Sequence, residues 1–415
     1  MKNTIYKKSL ALHKKYRGKI EIISKVPIKN KNDLALVYTP GVAQVSIEIN
    51  KNPKLVYNYT NKSNMVGIIS DGSAVLGLGN IGPYAAIPVM EGKAILLKKF
   101  AKIDTFPICI NTQNTQEIIN FVKNLEPVFG AIMLEDISAP RCFEIEKILQ
   151  KELPIPVMHD DQHGAATVVL AGLINALKLR AKIKHTISIS KKVKENASSL
   201  QVSVINNESK AANIIINGAG AAGIAIAKLL LAYGFKNLII CDSQGAIYLE
   251  RNNLSEESPS LTPHKKEIAR MTNQKNIPGN IQGKLVDIIK NTDVFIGVSG
   301  PKLLTKEMVQ SMAKNPIIFA LANPEPEIMP EIAKRAGAFI VATGRSDFPN
   351  QINNSLVFPG LFRGALDNKI KQFNQKIFIR VAETLAKIVK NPTPNKILPD
   401  PFDPKIVEAI KKVVR

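Results

Sequence analysis

Ala212-Asn213-Ile214-Ile215-Ile216-Asn217-Gly218-Ala219-Gly220-Ala221-Ala222-Gly223, continuing into Ile224-Ala225-Ile226-Ala227-Lys228-Leu229-Leu230, decides the fold class: an apolar strand enters a glycine turn and leaves as a helix. Gly218 permits the tight turn, Gly220 lets backbone approach a pyrophosphate, and Gly223 allows close helix packing. The first helical residues, Ala221 and Ala222, turn unpaired amides toward the phosphates. A second strand, Asn237-Leu238-Ile239-Ile240-Cys241-Asp242, then brings an acid about 20 residues past the turn, where a ribose hydroxyl is met. Glycine spacing alone is weak; strand, turn, helix and acid in this order are specific.

Downstream, Asp293-Val294-Phe295-Ile296-Gly297-Val298 ends in Ser299-Gly300-Pro301, and Pro316-Ile317-Ile318-Phe319-Ala320-Leu321 ends in Ala322-Asn323-Pro324. Helical stretches such as Lys284 to Lys290 alternate with these strands, which predicts a doubly wound parallel sheet. Ser299, Gly300 and Asn323 fall at the strand ends that line the nicotinamide side of such a fold. Upstream, Gly77-Leu78-Gly79-Asn80-Ile81-Gly82 repeats the glycine spacing. The strand before it, Met65 to Ile69, ends several residues too early and no ribose-binding acid follows, so this element is read as a turn shaping a substrate pocket.

Two acidic pairs stand where apolar runs give way to polar residues. Glu135-Asp136 follows Val128 to Leu134, and Asp160-Asp161 follows Leu153 to Met158. Ligands of α/β proteins collect beyond the carboxyl ends of strands. Carboxylates gathered there suit a hard cation, Mg²⁺ or Mn²⁺, with coordination positions left for water or substrate. A single pair would more often cap a helix or meet a lysine. Two pairs, one of them inside His159-Asp160-Asp161-Gln162-His163-Gly164, favour the metal.

At 415 residues the chain is long enough for two α/β domains, and its 45% hydrophobic content supports packed cores. Cys109, Cys142 and Cys241 are too few and scattered for a disulfide framework or zinc ribbon, which points to a reducing, cytoplasmic setting. No run approaches the roughly 20 apolar residues of a membrane span, and the Lys-rich opening, Met1 to Lys19, reads as an amphipathic helix of the fold. The formal net charge is +22. Most of the excess is Lys spread along the chain, with sparse Arg, no Trp and no aromatic platform, so nucleic acid is not the expected partner. Between the helical run Thr167 to Leu179 and the strand at Ala212 lies a Lys-, Ser- and Asn-rich insertion near 181–211. Within it, Ile187-Ser188-Ile189-Ser190 and Leu200-Gln201-Val202-Ser203-Val204 alternate like a surface hairpin.

Tyr38-Thr39-Pro40-Gly41-Val42, Ser70-Asp71-Gly72 leading to Gly77-Leu78-Gly79, Glu91-Gly92-Lys93, Leu134-Glu135-Asp136, His159-Asp160-Asp161-Gln162, the Gly218 turn, Ala322-Asn323-Pro324-Glu325-Pro326 and Asn350-Gln351-Ile352-Asn353-Asn354 before Phe358-Pro359-Gly360 occur in this order. By these stretches the chain resembles the malic enzymes, in particular the compact bacterial kind without a phosphotransacetylase module, over nearly its whole length. The resemblance implies oxidative decarboxylation of L-malate to pyruvate and CO₂ with NAD or NADP and Mg²⁺ or Mn²⁺. It implies a substrate and metal domain over 1–161, a Rossmann-type dinucleotide domain over 162–415 with closing C-terminal helices, and a homodimer. It also implies roles: Lys93 as general base tuned by Asp160, Tyr38 as general acid, Glu135, Asp136 and Asp161 as metal ligands, and Asn323 and Asn354 as substrate contacts. Ala74 departs from animal and plant relatives, which carry an arginine there for the substrate carboxylate, and His163 replaces a more usual Gln. A non-catalytic protein keeping the fold is the rival reading, and the intact set of Tyr38, Lys93, Glu135, Asp136 and Asp161 argues against it.

Overall fold

The structure, a computed structural model, describes residues 2–189, 210–248, 251, 263–272 and 282–415. Two sheets organise it. The first is parallel, with strands β1 (Met65–Ser70), β2 (Asp104–Cys109), β3 (Ala131–Leu134) and β4 (Val157–His159) in the order β2-β1-β3-β4. The second holds β5 (Ile214–Asn217), β6 (Leu238–Asp242), β7 (Gly245–Ala246), β8 (Val294–Gly297), β9 (Ile317–Ala320) and β10 (Ile340–Thr343) in the order β10-β9-β8-β5-β6-β7. All its pairs are parallel except β6 with β7. Strands β3, β5, β8, β9 and β10 are buried along their length, which is why they read as continuous apolar runs.

Prolines trim the first sheet. β3 begins at Ala131, three residues later than its apolar run, because Pro127 starts a 3₁₀ turn over Glu126–Val128. β4 is cut to Val157–His159 because Pro154 and Pro156 have no N–H for a ladder. β2 tolerates Pro107 because it is the edge strand.

The longer helices are α1 (Lys2–Tyr16), α2 (Gly41–Lys51), α3 (Gly82–Ala101), α4 (Thr115–Leu125), α5 (Arg141–Glu152), α6 (Asp160–Ile189), α7 (Ala221–Tyr233), α8 (Pro263–Met271), α9 (Phe358–Asp367), α10 (Gln375–Ile388) and α11 (Lys405–Val413). Helix α3 buries Ala86, Met90, Ala94, Leu97 and Ala101, a stripe of helical period that lies on β1 and β2. Helix α6 leaves β4 and runs between α7 and α10. Its stretch Asp160–Ile183 has the length and hydropathy of a membrane span, contrary to the sequence expectation, but 83% of its apolar window is buried. It is a core helix, clad by other helices rather than by lipid.

Helix α6 also corrects the strand reading of 187–190 as far as residue 189; residue 190 lies outside the described residues. The helix continues through Ile189, since each added residue extends an existing hydrogen-bonded turn and outweighs the β preference of Ile and Thr. Residues 200–204 lie outside the described residues. The opening segment forms the expected helix α1, yet Ile5, Tyr6, Leu10, Leu12 and Tyr16 are exposed.

Buried Asn175 pins α6 to the C-terminal region, its Nδ2 donating to the carbonyls of Ala386 and Ile397 at 2.9 Å each. Asn175→Leu strands both acceptors and is expected to lower stability by about 2 kcal/mol, read from the urea unfolding midpoint.

Candidate active site

Strand register creates the site. Leu134 pairs with Ile69 on one side and His159 on the other, so the residues that follow each strand emerge side by side at the carboxyl edge of the sheet. Glu135, Asp136 and Asp161 thereby place one carboxylate oxygen each within 4.8 Å of one another. Asp136 holds φ +53, a left-handed conformation that costs a non-glycine residue about 1–3 kcal/mol. It is held there by its N–H, which donates to Asp161 Oδ2 at 2.9 Å, and by its carbonyl, which accepts from Ala74 N at 2.9 Å.

Lys93 projects from α3 into the same space. Its Nζ donates to Asp160 Oδ2 at 2.6 Å, pairs with Glu135 Oε1 at 2.9 Å and lies 4.8 Å from the centre of the Phe358 ring. Burial alone would depress the ammonium, but Asp160, Glu135 and Asp161 outweigh it and raise its pKa above the ordinary lysine value. Asp160 thus tunes Lys93 toward the charged form. On the carboxylates burial wins: Glu135 and Asp160 are raised, and Asp136 is pushed up to about 8, with Asp161 adding to the effect. Four carboxyl groups against one ammonium are short of positive charge.

The donor set fits a hard divalent cation. Glu135 Oε2, Asp136 Oδ2 and Asp160 Oδ1 are buried with no hydrogen-bond partner among the described residues. Buried polar atoms are nearly always satisfied, so orphaned oxygens beside a three-carboxylate cluster point to an ion. Glu135, Asp136 and Asp161 would hold it.

The second sheet supplies a cradle for a dinucleotide. A Cβ on Gly218, where φ is +127, would stand 2.5 Å from the Val298 carbonyl, and one on Gly223 would stand 1.7 Å from that of Gly218. Gly220 caps α7 and faces open space, room for a phosphate against bare N–H groups. Asn217 Nδ2 donates to Ser299 Oγ at 2.9 Å, linking the ends of β5 and β8 beside Gly300. Asp242 at the end of β6 accepts from Arg251 Nη2 at 2.9 and 3.2 Å and from Lys265 Nζ at 2.9 Å. Against its burial, these partners hold its carboxyl below the usual range.

The halves meet at glycines. A Cβ on Gly77 would fall 1.8 Å from the Asn323 carbonyl, so the Gly77 turn seats on the loop after β9. A Cβ on Gly164 would meet both Asp160 Oδ1 at 2.0 Å and Asn354 Cβ at 3.1 Å, which places Asn354 beside the carboxylates. Tyr38 is not drawn in. It caps the short helix Lys31–Val37, is 66% exposed, and forms no hydrogen bond with Lys93 or the acids.

Three residues escaped the sequence reading. Arg141 Nη1 lies 2.8 Å from Asp71 Oδ2 and its Nη2 donates to Ser73 Oγ at 2.9 Å, putting a guanidinium beside the Ala74 position. Buried Glu327 accepts from Ser299 N and Ala322 N at 3.2 and 3.0 Å, tying together the loops after β8 and β9. Glu146, also buried, binds the start of α6. No local pattern marks these residues, because their partners come from distant segments.

Residues 17–150 match the family described as "Malic enzyme, N-terminal domain" and residues 162–413 that described as "Malic enzyme, NAD binding domain". The chain is 50% identical over 413 residues to the bifunctional malic/malolactic enzyme of Bacillus subtilis, covering 99% of this chain and 92% of that one. It is 49% identical over 399 residues to the NAD-dependent malic enzyme of Geobacillus stearothermophilus, covering 96% and 76%. The crystal structure of an NAD-dependent malic enzyme from Thermotoga maritima superposes with a TM-score of 0.84 at 44% identity, covering 98% of each chain.

The raised carboxyl groups set a pH test. Unfolded, an aspartate titrates at about 4; folded, Asp136 titrates at about 8. The folded state keeps protons that the unfolded state releases, so stability falls as pH rises through that window. Lys93 is charged in both states there and adds a constant contribution. In EDTA, the parent Tm is expected to fall relative to Asp136→Asn between about pH 5 and about pH 8, and Mn²⁺ to reverse the difference by stabilising the parent, which keeps the full carboxylate set.

Proposed function

This chain belongs to the malic enzyme family, and from that premise we propose how its residues divide the oxidative decarboxylation of L-malate to pyruvate and CO₂ with NAD or NADP. The observation that carries the assignment is Lys93 joined to both Asp160 and Glu135, at 2.6 and 2.9 Å, beside the metal-competent carboxylates. A divalent cation held by Glu135, Asp136 and Asp161 would supply Lewis-acid charge to the reaction, and a dinucleotide on the Gly218–Gly223 turn, Asp242, Ser299 and Gly300 would supply the hydride acceptor. With the charge of the surrounding carboxylates offset by the cation, Lys93 would first release its own proton to solvent; its neutral Nζ then takes the hydroxyl proton, and Asp160 steadies the ammonium so re-formed. Asn323 and Asn354 orient the substrate. Tyr38, working with Lys93, returns a proton to the carbon left by CO₂.

The substrate and metal part spans 1–161 and the dinucleotide part 162–415, with the enzyme acting in the cytoplasm. We propose further that it works as a homodimer in which Tyr38 serves the partner's site. Tyr38 is solvent-facing, and the segment around it, Leu34, Leu36, Val37, Val42, Val45 and Ile47, is apolar and exposed in the single chain, a surface suited to burial by a second copy.

Cofactor choice follows from charge. Arg251 and Lys265 both engage Asp242, leaving a surplus positive charge where a 2′-phosphate falls, so NADP is accepted alongside NAD.

Reduced cofactor and pyruvate are expected to accumulate one to one from L-malate with Mn²⁺, to stop with EDTA, and to fall at least about 10²-fold in Lys93→Ala. Turnover within a few-fold of the parent would remove Lys93 from the chemistry. Mixing inactive Tyr38→Phe and Lys93→Ala dimers should restore about a quarter of parental activity if Tyr38 acts in trans; no restoration would place it in cis. Lys265→Ala should weaken NADPH binding about tenfold more than NADH binding, read by cofactor fluorescence.

A further inference from the structure

Beside the first turn of α6, the helices α5, α7, α8 and α10 border a half-open cavity of about 350 Å³, with the start of α6 as its floor and Ile224 and Ala225, just past the glycine turn, in its wall. That volume suits a small molecule. None of the metal-ligand or cofactor residues named above lines it.

Its walls are ringed. Phe143 and His264 stand with ring centres 4.2 Å apart, and His163 stacks on Phe378 at 4.7 Å and 5°. Its charges are mostly spent. Lys228 pairs with Glu267 at 2.8 Å. Glu146 is saturated, accepting from His159 N at 2.7 Å and Gln162 Nε2 at 3.0 Å and pairing with His163 Nε2 at 3.0 Å. Among the described residues, the side chains of Lys147 and Gln375 line the cavity without an ion pair or hydrogen bond. One free ammonium and one free amide between aromatic faces call for a flat ligand with a single negative charge. A dicarboxylate would set its second charge against Glu146 or Glu267.

We propose that this cavity is a second ligand site, taking a planar aromatic monocarboxylate, and that its occupancy acts on the active site through Glu146. The connection is short. Glu146 Oε1 holds the backbone N–H of His159, the residue immediately before Asp160 and two before Asp161. A ligand that displaces His163 or Gln162 from Glu146 therefore disturbs the bond that fixes the first turn of α6. Walls on α5 and α7 let the same ligand bridge the two sheets' helices, so it would also bias their spacing.

The probe is 4-fluorobenzoate, followed by ¹⁹F NMR on the full chain in EDTA. Binding is expected at about 1 mM or tighter, not displaced by saturating NADP or L-malate, and weakened about tenfold or more in Lys147→Glu and in Gln375→Glu, both at exposed positions. Mn²⁺ titration by EPR should then show the metal dissociation constant shifted about fivefold by the probe in the parent and not in Lys147→Glu. No binding, equal binding to parent and variants, or displacement by NADP would overturn the site. Binding that leaves Mn²⁺ affinity unchanged would overturn the route through Glu146.

Discussion

The ion pairs that join Lys93 to Asp160 and Glu135 are the constraint on which the rest depends. Lys93 comes from α3, Glu135 from the end of β3, and Asp160 from the start of α6, so three elements meet on one nitrogen. Buried acids repel one another and would rather be protonated. One ammonium cannot neutralise Glu135, Asp136, Asp160 and Asp161 together, and the site is left electrostatically incomplete in a way that a dication completes. The left-handed backbone of Asp136 belongs to the same arrangement: two hydrogen bonds, from its N–H to Asp161 and from Ala74 to its carbonyl, offset the strain and keep its carboxylate among the other acids.

Much of this was legible in the residues. The Gly218 turn lay between a strand and a helix, and the structure gives Gly218 and Gly223 a steric reason while Gly220 faces open space. The acidic pairs followed apolar runs, and parallel pairing at Leu134 and His159 turned two positions 25 residues apart into neighbours. What escaped was whatever depended on partners chosen by folding. Arg141, Glu146 and Glu327 are polar residues with no periodic or local mark; their meaning lies in bonds to Asp71, His159 and Ser299. The edge strand β2 hid behind Pro107, and the alternation at 187–190 misled because an established helix propagates through residues that would favour a strand in isolation.

Tyr38 shows another limit of reading one chain. Its motif placed it with Lys93, but the single chain leaves it facing solvent, amid apolar neighbours that have nothing to pack on. A motif groups residues by their order along the chain; the fold decides which of them come within reach of one another.

The junction at His159 and Asp160 has a mechanical meaning. β4 is hydrogen-bonded into the first sheet and α6 is packed among helices of the second, so the chain passes from one sheet's layer to the other's at the acids themselves. No loop separates the last residue of the strand from the first of the helix, so Asp160 and Asp161 take their positions from sheet and helix bundle at once and have no slack in which to drift.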